Sequence, residues 1–393
     1  MRARLDDPLS LVRAEVSSLA RALSEALSES KSLVISALPT RRCATSSLIM
    51  AGALQAKLEL IAVSFDFSVE TGGNAPTLRL EDSSSGSSAR LLSSGSTPQA
   101  AASSALPLPF VALALLEELG VIGDVEKFTA ASSLQDHSDY IEVGKPLRDA
   151  LKAMRGVSVR EKFLPFYQAD SLAAVESVRR TIRPFFRGFS CEEPGKLAEK
   201  LRRLGLDPSK PPIDQSQDSL KALLQEVGAA LRVGKSASLG SLFATVSFGD
   251  RELDLRELAT ALDVLIEVDP GVLLYSVASS DVEFLRSNYL EAFEELCELS
   301  GRISSSSELE RISIGKIRFR VFECSEPLLP YSMLSEVLRR LGVASEDELV
   351  ACKQGSALYT SKAELARTEP EALRGLRLSE LASSPMLVEV GAR

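Results

Sequence analysis

There is no tryptophan in this chain, and a single histidine, His137. One imidazole excludes any multi-histidine metal site and leaves a Ser–His or Cys–His catalytic pair dependent on that one residue. Five cysteines, Cys43, Cys191, Cys297, Cys324 and Cys352, lie scattered without a C-x-x-C. Neither a zinc site nor a disulfide framework is expected from them, and a reducing, cytoplasmic setting is the default. No apolar run approaches the length of a membrane span, and the opening MRARLDDPLS has no signal-peptide core. Dinucleotide and phosphate loops are missing as well. No G-x-G-x-x-G occurs, and the nearest approach to a phosphate loop, Gly195-Lys196, has its first glycine misplaced and Leu197 where a hydroxyl is required. Positive charge is also in deficit. With a net charge of −9, the field of the whole molecule does not drive binding to nucleic acid, so any such contact needs a local basic face.

What is present is apolar and patterned. The 393 residues are 45% hydrophobic, enough for about two or three packed domains. The stretch Ser32 to Leu54 organises the rest. It reads as a short β-branched strand (Leu33-Val34-Ile35-Ser36), a loop, and a helix of small residues. That places the loop Ala37 to Arg42 at the carboxyl end of a parallel strand, where open α/β sheets bind ligands. An amphipathic helix over 9–28 precedes it. Strands are expected at 58–63 and 77–80, with a helix from Pro98 to Leu119, and part of the serine-rich stretch 83–104 is read as a surface loop. Residues 145–212 read as helical and locally basic, closed by the break PSKPP at 208–212. A helix follows at 218–231, then a flexible join at 234–240. The remainder reads as a second α/β unit: a strand at 242–247, helices at 253–266, 282–299 and 330–341, a β-ribbon over 312–324 turning at Gly315, and strands at 348–353 and 357–360.

Candidate chemistry is sparse. Paired acids such as Glu117-Glu118 and Glu294-Glu295 fall on expected helix surfaces and read as solvated charge. Asp136-His137-Ser138-Asp139 is the one cluster of ligand-type residues, and by itself it reads as a surface turn.

Taken in order, these segments resemble the Asp-His-His phosphoesterase superfamily, and within it the archaeal RecJ-like proteins: the GINS-associated nuclease and the cell division control protein 45 group. In active members a strand runs into His-x-Asp-x-Asp-Gly and then Ser or Thr at a helix start. Here Ala37 stands for the histidine, Pro39 and Arg41 for the aspartates and Arg42 for the glycine, with Ala44-Thr45-Ser46 near the helix start. The Asp-His-His slot fits Asp82-Ser83-Ser84, with the aspartate kept and both histidines replaced by serine. A later Gly-Asp motif fits Gln135-Asp136. The resemblance continues through Val175 to Asp207, above all Arg183 to Phe189, and into Leu255 to Leu262, similar to the opening of the family's second domain. Of that domain's closing Gly-Gly-His motif only Gly391-Ala392 survive.

The resemblance implies an α/β chain of three parts: a degenerate DHH-type parallel-sheet domain over 1–150, a helical connecting region over 151–235, and a smaller DHHA1-like α/β domain over 236–393. Metal-assisted hydrolysis needs two hard cations about 3.5–4 Å apart, held by carboxylates and imidazoles. Asp82 and Asp136 are too few for that, and Arg41 is a cation where cations should bind. An arginine of this loop is expected to pair with Asp82 or Asp136 and fill the space. The chain is therefore expected to be no enzyme and to need no cofactor. The resemblance implies a scaffold of an archaeal replicative helicase assembly, with the GINS complex and the MCM helicase as partners and no membrane. Single-stranded DNA would be touched at Arg179, Arg180, Arg183 and Arg187, with Phe185 or Phe186 for base stacking. The alternative for that stretch is a helix whose arginines pair with Glu176, Glu192 and Glu193 over buried phenylalanines. The alternative for the whole chain is a manganese-dependent exonuclease, which requires Asp66, Asp82, Asp136, His137 and Asp139 to converge.

Overall fold

The computed structural model describes residues 8–67, 75–83, 86–92, 98–121, 124–135, 145–160, 164–231, 243–248, 251–305 and 309–392. Helix α1 (Pro8–Ser30) buries Val12, Val16, Leu19 and Leu23, the stripe its helical spacing sets up. Strand β1 (Ser32–Ala37) follows, then α2 (Arg41–Leu54), β2 (Leu60–Phe65), β3 (Thr77–Ser83), β4 (Gly86–Leu92) and β5 (Pro98–Ser104). They form one sheet in the order β2-β1-β3-β4-β5, parallel across β2-β1-β3 and antiparallel beyond. Helix α2 is buried along most of its length because its side chains are small. A Cβ at Gly52 would lie 2.9 Å from the Leu274 carbonyl, so only glycine lets the helix carrying Leu274 approach this closely.

The chain continues through α3 (Leu108–Glu118), α4 (Val125–Ser132), α5 (Lys145–Ala153), β6 (Val157–Arg160), α6 (Ala174–Arg180), α7 (Pro194–Arg203) and α8 (Gln217–Leu231). Next come β7 (Phe243–Phe248), β8 (Arg251–Asp254), α9 (Leu255–Val268), α10 (Pro270–Ser279) and α11 (Val282–Ser305). The last part holds β9 (Glu310–Ile314), β10 (Ile317–Glu323), α12 (Tyr331–Leu341), β11 (Glu348–Gln354), β12 (Ala357–Ser361), α13 (Lys362–Leu365), α14 (Pro370–Leu373), β13 (Leu376–Leu381) and β14 (Ser384–Ala392). A three-stranded sheet runs β6-β7-β8 and a six-stranded sheet β13-β14-β12-β11-β10-β9. This is the mixed α/β class expected, with parallel pairing in the first sheet and at β10–β11.

Among the described residues three apolar cores hold it together. The largest runs from α1, β1, α2 and α3 into α9, α11 and α12. A small one gathers Phe166, Phe186, Leu197, Leu201 and Leu223 in the region of α6 to α8. The third lies on a face of the six-stranded sheet, around Phe319, Val321, Val388 and Val390.

Three expectations are corrected. Residues 98–104 are a strand, not a helix start; the serine-rich stretch supplies β4 and β5, and its residues 84–85 and 93–97 lie outside the described residues. Ser87 is buried and donates to the Leu106 carbonyl at 2.6 Å, while Gly86 (φ 138°) sits where a Cβ would strike the Ser104 carbonyl. Residues 157–160, read as helical, pair with β7 instead. Four of the cysteines are bonded: Cys191 to Cys297 and Cys324 to Cys352, with Cys43 buried outside both bonds. Partners 106 and 28 residues apart leave no spacing motif to read. The join at 234–240 lies outside the described residues.

Candidate functional site: an arginine-filled junction

The carboxyl ends of β1, β2 and β3 meet the amino end of α2. Thr40 caps that helix, its hydroxyl accepting from the Cys43 amide at 3.4 Å. Two cations then occupy the first turn, where the helix dipole favours anions, so both need carboxylates from elsewhere. They take them in opposite directions.

Arg42 turns back to its own sheet and donates through Nη1 to Asp82 Oδ2 at 2.8 Å. Arg41 turns outward and donates to Glu336 of α12 and to the Ser332 carbonyl, with Asp263 of α9 at 3.6 Å. Arg183 enters the same space from the segment after α6. It donates to Glu336 through Nε at 2.9 Å and Nη2 at 3.0 Å, and through Nη1 to Asp263. Arg41, Arg183, Asp263 and Glu336 thus form a balanced tetrad drawn from four segments. The second oxygen of Asp263 accepts from Gln135 Nε2 at 2.7 Å, and the same amide nitrogen donates to Thr45 of α2.

The charges in this tetrad are set by burial against pairing. Burial works against an ionised Glu336, but the guanidiniums of Arg183 and Arg41 outweigh it and hold the carboxyl down to about 2. Burial likewise opposes the Arg41 cation, and Glu336 and Asp263 leave its pKa above the ordinary guanidinium value. Asp263 is pushed up by burial against the pull of the same arginines. Next to the tetrad, burial also raises the carboxyl of Glu267, which accepts from the Ser332 amide at 3.0 Å and the Ser332 hydroxyl.

Arg79 ties the strand ends beneath. It is buried and donates to Ser36 Oγ of β1 at 2.7 Å and to the Asp66 carbonyl after β2 at 3.2 Å. Beside the Arg42–Asp82 pair a polar cleft of about 710 Å³ opens at this end of the sheet, walled by Glu15, Glu81, Asp82, Ser87, Ser88 and Arg90.

Pro39 is buried in the loop, and Arg41 and Asp82 are drawn to different carboxylate and guanidinium partners rather than to each other. Ser83 ends β3; Ser84 and Asp136 to Asp139 lie outside the described residues. Among the described residues no three His, Cys, Asp or Glu side chains are placed to hold a metal ion. The groups that are described do not fit a two-cation centre, because the Asp82 carboxylate holds a guanidinium and the neighbouring space holds two more.

The arginines read as candidate DNA contacts are placed differently from one another. Arg179 is bidentate on Glu294 of α11, Arg180 pairs with Glu257 of α9, and Arg183 belongs to the tetrad. All three are buried, as are Phe185 and Phe186, which puts neither ring at the surface for base stacking. The described ion pairs run to α9, α11 and α12, not to Glu176, Glu192 or Glu193. Arg187 alone of the four is exposed.

Sequence reasoning missed Asp263, Glu336 and Arg79, and placed Gln135 only as the stand-in for a motif glycine. A faint signal existed for the first: Asp263 and Glu267 stand four apart in α9 among Leu262, Leu265 and Ile266, so two acids share the buried surface of an apolar helix.

The fold is shared with a known protein. The crystal structure of CDC45 from Entamoeba histolytica superposes with a TM-score of 0.55 at 12% identity, over 96% of this chain and 95% of that one. Two exonuclease structures are more distant. RecJ bound to manganese gives a TM-score of 0.35 at 12% identity over 96% and 90% of the two chains. RecJ in complex with Mn2+ from Thermus thermophilus gives 0.30 at 12% identity over 96% and 52%. No protein-family model matches the chain, and no curated protein matches its sequence. Among the described residues no helix is long and apolar enough to cross a membrane.

Proposed function

We propose that this chain is a non-catalytic DNA replication factor of the CDC45 type, a scaffold in an archaeal, cytoplasmic helicase assembly that docks on the GINS complex and the MCM ring. The fold shared with CDC45 along nearly the whole of both chains supports the class. The observation that carries the loss of catalysis is the Arg42–Asp82 pair, a guanidinium on the carboxylate where a hydrolase of this kind would bind a cation. The net charge of −9 suits a protein-binding body better than a DNA clamp. Where single-stranded DNA is touched, exposed Arg187 is the position left from the basic stretch to do it.

The test has two arms on the purified chain. Incubated with single-stranded DNA or RNA and manganese, it leaves the substrate intact, and it co-elutes with purified GINS whether or not Asp136→Ala is introduced. Cleavage abolished by Asp136→Ala, with no retention of GINS, would instead establish a nuclease with relocated ligands.

A further inference from the structure

The two disulfides are built into very different surroundings. Cys324 follows β10 and Cys352 lies in β11. Those strands already pair in parallel, and the Cys324 amide donates to the Lys353 carbonyl at 3.1 Å. Cys352 is fully buried, and the bond spans 28 residues within one sheet. Cutting it leaves the ladder in place.

Cys191 and Cys297 join the turn before α7 to α11, two segments far apart in sequence. Their Cα atoms are 4.8 Å apart across a separation of 106 residues, within the range a disulfide bridges. Cys297 lies on the inner face of α11. Cys191 sits in the turn before α7 at φ 59°, a backbone conformation that L side chains seldom adopt, and is half-buried. Both cysteines line a cleft of about 380 Å³, walled on one side by Arg187 and Ser190 and on the other by Ser300 and Gly301 of α11. A Cβ at Gly301 would meet nothing within 4 Å. This cleft gives a small thiol access.

We propose that Cys191–Cys297 is a thiol–disulfide exchange site, a reducible clamp between α11 and the helical region of α6 to α8, while Cys324–Cys352 is a fixed structural link. The co-reactant is a dithiol/disulfide couple. A thiolate of the dithiol attacks Cys191 Sγ, the S–S bond breaks, and its electron pair passes to Cys297 Sγ, which takes up a proton. The second thiol of the reductant then displaces Cys191 Sγ, which is protonated in turn. The reductant leaves as its own disulfide, having delivered two electrons and two protons. Reversal closes the clamp.

After reduction two arginines of α6 still face α11: Arg180 acts electrostatically on Glu294, and Arg179 bonds to it directly. Its guanidinium is bidentate on Glu294, and it lies 5.4 Å from the centre of the Phe293 ring. The Glu294 side chain is 58% exposed, so salt screens that pair. The link between the carboxyl half of α11 and the turn before α7 then rests on that pair and on the shared apolar core of Phe185, Leu296 and Ile303.

The test uses the full chain, purified without reductant, exposed to graded dithiothreitol, quenched with iodoacetamide and mapped by mass spectrometry. Cys191 and Cys297 become alkylated at a dithiothreitol concentration at least about tenfold lower than Cys324 and Cys352. Hydrogen exchange over 297–305 quickens several-fold on reduction and in Cys297→Ser, while exchange over 317–323 stays unchanged. Glu294→Gln enlarges the effect in the reduced protein and not in the oxidised one. Free thiols at 191 and 297 before reductant is added, earlier opening of Cys324–Cys352, or unchanged exchange in α11 would each overturn the proposal.

Discussion

Arg41 and Arg42 are neighbours in sequence with different fates. Arg42 closes on Asp82 at the lip of an open polar cleft, the two side chains 12% and 9% exposed. Arg41 reaches into a tetrad whose inner pair, Arg183 and Asp263, is 1% and 0% exposed. The first pair ties the amino end of α2 to the carboxyl end of β3. The second joins α2 to α9, α12 and the segment after α6, across as many as 295 residues of sequence. In both places a buried or half-buried carboxylate is neutralised by a guanidinium of the chain itself, and at the tetrad that pairing also joins distant parts of the molecule.

The largest effect is expected at the tetrad. Arg183→Ala leaves buried Asp263 and half-buried Glu336 with one guanidinium between them. It is expected to cost about 3–5 kcal/mol, the range for removing one partner of a buried pair, measured by urea unfolding. A loss below about 1 kcal/mol would mean that the tetrad is no weld.

Acid should separate the two regions next. Glu336 titrates at about 2 in the folded chain, below the ordinary 4.5. Its contribution is therefore complete above about pH 4.5 and is lost as pH falls through 2, amounting to up to about 3 kcal/mol. In Glu336→Gln that part of the acid dependence disappears, and the unfolding free energy falls less steeply between pH 4.5 and 2 than in the parent.

At the lip the effect is smaller. Arg42→Ala exposes Asp82 to cleft water that can hydrate it, and about 1–2 kcal/mol is expected. The double variant Arg42→Ala/Asp82→Ala should recover most of that loss, since no unpaired charge remains. Equal costs at Arg42 and Arg183 would erase the distinction drawn here. Smallest of all, Arg187→Ala should change stability by less than about 0.5 kcal/mol. If the chain touches single-stranded DNA, the same change lowers affinity and flattens its salt dependence by about one ion.

Much of the frame could be read in the sequence because local pattern decides it. The run Leu33 to Ser36 followed by a helix of small residues gives β1 and α2, and the loop between them carries the two arginines. Strands β4 and β5 could not be read. GSSARLL and PQAAASS have low strand propensity and become strands through antiparallel pairing and cover from α1. Pairing of an arginine with Asp82 was anticipated for this loop, but the tetrad was not. Glu336 and Asp263 are 153 and 80 residues from Arg183, and no local spacing encodes a partner at that distance. The disulfides escaped for the same reason. Of the two readings of the basic stretch, paired arginines over buried phenylalanines is the one seen, with carboxylates of α9, α11 and α12 as partners in place of the nearby acids.

On the proposed function, the chain's own guanidiniums stand where a hydrolase of this kind would bind metal ions. Calorimetric titration of the purified chain with manganese tests it most directly. No binding is expected up to millimolar metal, in the parent and in Asp82→Ala alike. Two equivalents bound at micromolar concentration in the parent, lost on Asp82→Ala, would contradict it.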